Sequence, residues 1–162
     1  METNEIIEKL KWKFGTSILG TEIPDGILTI TTSSDAAIPV IQFLKEELNY
    51  TFLTDLCGIH YPDQELSLGI VYHLHNLNQN VRIRIKAYVS VQNPSIPTAT
   101  GLFPAANWME RETFDFYGII FEGHPNLKRI LNVDYLDYFP MRKEYPLEDP
   151  TRHDKDDRFF GR

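Results

Sequence analysis

The chain has 162 residues, 42% of them hydrophobic and 12% aromatic, which is enough apolar material for one core of ordinary size. With 23 acidic against 16 basic side chains the net charge is -7, and this argues against non-specific attraction to nucleic acid or anionic lipid as the main business of the chain. The single cysteine, Cys57, excludes an intramolecular disulfide and a four-thiolate zinc or iron-sulfur site built from this chain alone.

Met1 to Phe14 lacks the apolar run of a signal peptide, and nowhere do about 18 apolar residues follow one another, so the chain is not expected to enter a membrane itself. Ile6, Ile7, Leu10 and Phe14 fall on one face of a first helix, capped by Thr3 or Asn4, with Glu5 and Glu8 early, Lys11 and Lys13 late and Gly15 after it. After the turn Pro24 to Gly26, "ILTITT" reads as a strand and "SSDAAIPVIQFLKEEL" as a helix capped by Ser34 or Asp35, with Pro39 placed within about its first turn. "TFLTDLCGIHY" does not alternate, which suits a strand covered on both faces rather than an edge.

The clearest periodicity follows. Leu66, Leu68, Ile70, Tyr72 and Leu74 alternate with polar or small residues, and after "NLNQN" so do Val81, Ile83, Ile85, Ala87 and Val89, which predicts a long antiparallel hairpin with one buried face. The fold class is therefore α+β: a mixed sheet of about four strands, with helices packed on its apolar face. "NPSIPTATGLFP" is a loop, and Ala105 to Tyr117 reads as a helix stopped by Gly118. Beyond Gly123, prolines at 125, 140, 146 and 150 break any long helix and charges dominate, which divides the chain into a domain over 1–123 and an extended tail over 124–162.

Three constellations compete for a function. His73 and His75 share a strand face and such a pair can bite a metal ion, but a third ligand is missing from that strand, and Arg82, Arg84 and Lys86 opposite would repel a cation. The same basic face with Tyr88 allows an RNA-binding module, the alternative from another class, although a single aromatic and an acidic chain speak against it. "RHDKDDR", Arg152 to Arg158, interleaves its carboxylates with cations and reads as a charged segment rather than a metal site. Tyr135, Tyr138, Phe139, Tyr145, Phe159 and Phe160 give this tail bulky rings at intervals, which suits anchoring in pockets of another surface.

The densest cluster lies in "ERETFDFYGIIFEGHPNLKRIL". On a helix, Ala105, Trp108, Met109, Glu112 and Phe116 fall along one stripe, so Glu112 is expected among apolar neighbours and in need of a partner. Arg111 and Asp115 stand one turn apart and can pair. Glu110 and Glu112 point about 160–200° apart and cannot flank one bond, so a glycosidase-like carboxylate pair is excluded. No nucleophile triad, phosphate loop or dinucleotide fingerprint occurs elsewhere. No catalytic or metal residue is assigned; spacing favours an ionic and aromatic docking helix.

These residues resemble the signature of the C subunit, the 30 kDa subunit family of respiratory complex I (NDH-1), the proton-pumping NADH:quinone oxidoreductase. Glu110, Arg111, Glu112, Asp115, Phe116, Tyr117, His124, Lys128, Ile130 and Leu131 fill every position of that signature across 22 residues. "YFPMRKEYPLEDPTR" also resembles the stretch that follows it in the family, around a Pro-x-Arg-Lys core. The resemblance implies a structural subunit of the hydrophilic arm, without redox centre or catalytic residues, in an enzyme complex that passes electrons from NADH through FMN and iron-sulfur centres of partner subunits to quinone bound by partners. It implies the D subunit as first partner, then the B subunit and other neighbours in the arm, and a peripheral place on the cytoplasmic side of the cell inner membrane through the complex alone. Arg142, Lys143, Tyr145, Phe159 and Phe160 are then expected to dock the tail, and the chain, which ends at Arg162, is expected to be the form not fused to the D subunit. Similar modules in membrane-bound hydrogenases and ferredoxin-fed complexes leave the electron donor open.

Overall fold

The computed structural model describes residues 3–145. Its elements are α1 (Thr3–Phe14), β1 (Ile18–Glu22), β2 (Leu28–Thr32), α2 (Ser34–Leu48), β3 (Phe52–His60), β4 (Leu68–Asn76), β5 (Val81–Val89), β6 (Ser95–Pro97), α3 (Ala106–Tyr117) and β7 (Ile120–Glu122). Five strands form one mixed sheet in the order β1-β2-β5-β4-β3, in which β2 and β5 run parallel and the other pairs antiparallel. A short parallel pair, β6 with β7, stands apart.

The strict alternation after Ser67 becomes the β4–β5 hairpin, with Tyr72 opposite Ile85 and Leu74 opposite Ile83 in unbroken register. Leu68, Ile70, Tyr72, Leu74, Ile83, Ile85 and Ala87 are fully buried in one core with Val40, Ile41 and Leu44 of α2 and Leu10 of α1. Each such large side chain contributes about 1.5–3 kcal/mol of transfer free energy. Pro39 lies at the sixth residue of α2, beyond the first turn expected for it. The carbonyl left without its intrahelical donor belongs to Asp35, and both residues are exposed, so water can replace the lost bond.

Two expectations change. The sheet has five strands rather than about four: the added strand, β1, is a short edge strand whose Leu19 is exposed, so it carries no burial pattern that a sequence could show. β3, expected to be covered on both faces, is the opposite edge strand. A register shift between Leu53 and Asp55 interrupts its alternation, and only beyond that shift do Leu56, Gly58 and His60 line the buried side in turn. α3 covers this strand, and Tyr117 packs so closely on Gly58 that a Cβ there would sit 2.5 Å from the ring. No helix among the described residues is long and apolar enough to cross a membrane.

A candidate docking site around helix α3

α3 carries three buried charged groups in the acid-rich run, and each is fastened to another piece of chain. Its buried positions are Ala106, Glu110, Arg111, Thr113 and Asp115, whereas Ala105, Trp108 and Glu112 are exposed and Met109 and Phe116 are not fully exposed. The stripe read from the sequence, Ala105, Trp108, Met109, Glu112 and Phe116, is therefore rotated from the true one, and Glu112 needs no buried partner. Hydrophobicity misleads here because the surrounding loops supply hydrogen bonds to polar side chains on the inward face.

Asp115 does not pair with Arg111. Its Oδ2 accepts the backbone N–H groups of Ile130, Leu131 and Asn132 at 3.1, 2.8 and 2.9 Å, and its Oδ1 accepts Arg129 Nη1 at 2.8 Å and Asn132 Nδ2 at 3.1 Å. Burial pushes this carboxyl up, but the N–H groups of Asn132 and Leu131, the Arg129 guanidinium and the Ile130 N–H together hold it well below the usual carboxylate range. Arg111 instead donates to the carbonyls of Lys128 at 3.1 Å and Arg129 at 3.0 Å. Arg129, which the signature passes over between Lys128 and Ile130, also donates to the carbonyls of Asp115, Leu136 and Tyr138. A buried helical Asp demands a cation and several N–H donors, and the basic pair downstream is the one sequence signal for it.

Glu110 is enclosed on the other side of α3. Oε2 lies 2.5 Å from Thr98 Oγ1 and Oε1 accepts the Ala99 N–H at 2.6 Å, which fastens the loop before the helix. His124 ties the turn after β7 to the first turn of α3. Its Nδ1 accepts the Asn126 N–H at 3.0 Å, so its proton sits on Nε2 and is donated to the Asn107 carbonyl at 3.1 Å. The ring is thus neutral, and its 4.0 Å approach to Glu110 is not an ion pair.

The C-terminal end of α3 is closed by the segment that follows. Gly118 takes the left-handed conformation, φ 74°, that ends the helix. Met141 N–H donates to the Phe116 carbonyl at 3.2 Å and Arg142 Nε to the Tyr117 carbonyl at 2.8 Å, a favourable place for a cation. The guanidinium groups of Arg129 and Arg142 lie 5.2 and 4.7 Å from the Phe139 ring centroid. Lys143 contributes its backbone N–H to His60 Nδ1 at 2.9 Å, and Tyr145 packs on Tyr138 with centroids 4.8 Å apart. Within the described residues, then, Arg142, Lys143 and Tyr145 engage their own chain; Phe159 and Phe160 lie outside them.

This anchored stretch and the outer face of α3 turn apolar groups outward. Tyr135 is 86% exposed, Leu131 66% and Trp108 61%, with Val133, Tyr138 and Met141 exposed as well. A cleft of about 360 Å³ lies between β3 and α3, lined by Leu56, Gly58, Glu112, Thr113, Phe116 and Met141.

The other candidate groups are engaged locally. Arg84 Nε donates to His73 Nε2 at 2.8 Å, and Asp55 approaches the remaining ring nitrogen at 3.6 Å. Burial and then Arg84 hold the His73 pKa down, so the ring is a neutral link across three strands. His75 bonds Asn80 and Lys86 pairs with Glu22. Burial first, then Asp55, pushes the Cys57 thiol up to about 11, far from thiolate chemistry. Among the described residues no group of three His, Cys, Asp or Glu side chains is placed to hold a metal ion.

The comparisons with known proteins agree with this signature. The family model described as "Respiratory-chain NADH dehydrogenase, 30 Kd subunit" matches residues 30–151. The chain is 39% identical over 151 residues to the C subunit of NADH-quinone oxidoreductase from Citrifermentans bemidjiense, covering 93% of this chain and 94% of the relative. It is 38% identical to the corresponding C subunit from Sinorhizobium medicae, covering 89% of this chain and 72% of the relative. Among solved structures, the trypsin-resistant fragment (1-134) of Nqo5 superposes with a TM-score of 0.69 at 29% identity, over 78% of this chain and 100% of the fragment. A chain of the archaeal membrane-bound sulfane sulfur reductase shares the fold alone, with a TM-score of 0.74 at 22% identity, over 89% of this chain and 85% of that one. Signature, fold and relatives together place the chain in the respiratory-chain NADH dehydrogenase 30 kDa subunit family, alongside relatives named as C subunits of NADH-quinone oxidoreductase.

Proposed function

We propose that the chain is a non-redox structural subunit of the peripheral arm of a proton-translocating NADH:quinone oxidoreductase, with the D subunit as its principal neighbour and the B subunit and other arm proteins nearby. FMN, iron-sulfur clusters and quinone are held by those partners, and the chain meets the cytoplasmic side of the cell inner membrane through the complex alone. One observation carries this reading: the buried charged groups of the acid-rich run are used up in hydrogen bonds within the chain. Asp115, Arg111 and Arg129 fasten residues 128–139 to α3, and the same stretch presents Leu131, Val133 and Tyr135 outward. A rigid platform with exposed aromatic and aliphatic anchors suits assembly, in which a few such residues carry most of the binding energy.

The test is affinity purification of the tagged chain in mild detergent, with mass spectrometry of co-purifying proteins and metal and flavin analysis of the chain purified alone. Iron-sulfur and membrane subunits are expected with the tagged chain, and neither iron nor flavin on the isolated chain. Recovery of the flavin-carrying module identifies NADH as the donor; its absence beside the other subunits overturns that part. Iron or flavin retained in stoichiometric amount by the isolated chain overturns the non-redox assignment.

A further inference from the structure

We propose that the Glu110 carboxyl is a proton-binding site of the folded chain, loaded through the hydroxyls of Thr98 and Thr100, whose charge state sets how firmly the loop before α3 is held to that helix. Glu110 is 0% exposed, and at hydrogen-bond length its oxygens meet the Thr98 hydroxyl and the Ala99 N–H. Among the described residues, the one basic side chain within ion-pairing distance is His124, whose single ring proton is committed to the Asn107 carbonyl. Arg111, next on the same helix, directs its guanidinium to the carbonyls of Lys128 and Arg129. From α2, Lys45 ends on the Leu102 carbonyl. From β4, Tyr72 is close enough to feel a charge on Glu110, and its fully buried hydroxyl has no hydrogen-bond partner among the described residues.

A carboxylate in this place would be a buried charge without a cation, whereas the neutral acid satisfies itself by donating to Thr98 Oγ1. Burial accordingly pushes the Glu110 carboxyl up to about 7, against the opposing hydrogen bonds from Thr98 and Ala99. Thr98 Oγ1 also lies 2.9 Å from Thr100 Oγ1 and accepts the Thr100 N–H at 3.1 Å. With Glu110 neutral, the bonds run from Glu110 to Thr98 to Thr100; with Glu110 ionised, they run from Thr100 to Thr98 to Glu110. Loading adds a solvent proton to Thr100 Oγ1 while the Thr100 hydroxyl proton shifts to Thr98 Oγ1 and the Thr98 proton to Glu110 Oε2. Each hydroxyl gains one proton and releases one. Thr100 is only half-buried, so the outer end of the chain reaches solvent without opening the core.

The full-length chain, labelled with ¹³C at glutamate side-chain carboxyls and assigned through backbone resonances, is titrated by NMR alongside amide exchange corrected for base catalysis. The expected result is an acid-form Glu110 signal at about pH 5.5 with a midpoint near 7, and exchange of the Thr98 to Phe103 amides that rises about tenfold as pH climbs toward that midpoint and levels off above it. Glu110→Gln should abolish that rise, and Thr98→Val, which removes a donor to the carboxylate, should move the midpoint up. A Glu110 signal already ionised at about pH 5.5 overturns the proposal without recourse to any variant. So does a midpoint unmoved in Thr98→Val, or a loop exchange that follows pH equally in Glu110→Gln.

Discussion

Glu110, Glu112 and Asp115 stand within six residues of one helix and carry the same carboxyl group, yet their surroundings give them three different roles. Asp115 is an ionised anchor: Asp115→Asn leaves the Arg129 guanidinium without its charge partner in a nearly dry site, and a loss of about 3–5 kcal/mol is expected in urea unfolding. Glu112 is exposed, so Glu112→Gln should stay within about 0.5 kcal/mol of the parent. The pH dependences of the two buried acids have opposite signs. Asp115 titrates in the folded chain below its ordinary 3.8, so its stabilisation is present above that value and is lost as pH falls through the folded pKa. Glu110 is raised from 4.5 to about 7, so the folded chain binds the extra proton in that window, and its contribution to stability is highest below the window and falls as pH rises through it. The difference corresponds to roughly 3 kcal/mol between the two ends of the window, and Glu110→Gln should flatten it when unfolding is measured at about pH 5 and pH 8.

At the scale of elements, periodicity is legible in the sequence, while local exceptions and long-range hydrogen bonding are not. The β4–β5 hairpin and the stop of α3 at Gly118 can be read because alternation and a glycine cap act locally. β3 misleads because one register shift breaks its period, and β1, β6 and β7 are too short or too exposed to show one. The face of α3 misleads for a different reason. Its inward positions are polar, and only the loop at Thr98 and Ala99 and the segment at 128–132 make that tolerable, neither of which is near in sequence. The cluster stands where its residues suggest, but the expected Arg111–Asp115 pair is replaced by Arg129, whose part depends on a fold-back that no spacing rule encodes. Gly118 tests that fold-back: a Cβ there would lie 2.5 Å from the Phe139 ring, at a φ of 74°. Gly118→Ala should cost about 1–3 kcal/mol and expose residues 124–145 to limited proteolysis ahead of the sheet.

At the scale of the whole molecule, α1 and α2 pack into the core on the apolar side of the sheet, and the opposite face carries a lattice of short polar links. Asp55, His73 and Arg84 join β3, β4 and β5, while Glu22 and Lys86 join β1 and β5, so the basic positions that invite comparison with RNA-binding sheets are largely matched within the chain. An exposed apolar row lies instead at Leu131, Val133 and Tyr135, in the segment held by the Asp115 and Arg129 anchors, with Trp108 exposed on α3 itself. Polar groups fix this segment and apolar groups project from it, and under the proposed function these are the groups that meet neighbouring subunits. That division is tested most directly by a Leu131→Asp, Tyr135→Asp double variant, expressed in place of the parent chain, with assembly followed by native electrophoresis and by NADH:quinone activity of isolated membranes. The account predicts unfolding of the purified variant within about 0.5 kcal/mol of the parent together with loss of the assembled complex and its activity. A complex that forms at parental level around the variant chain would contradict it.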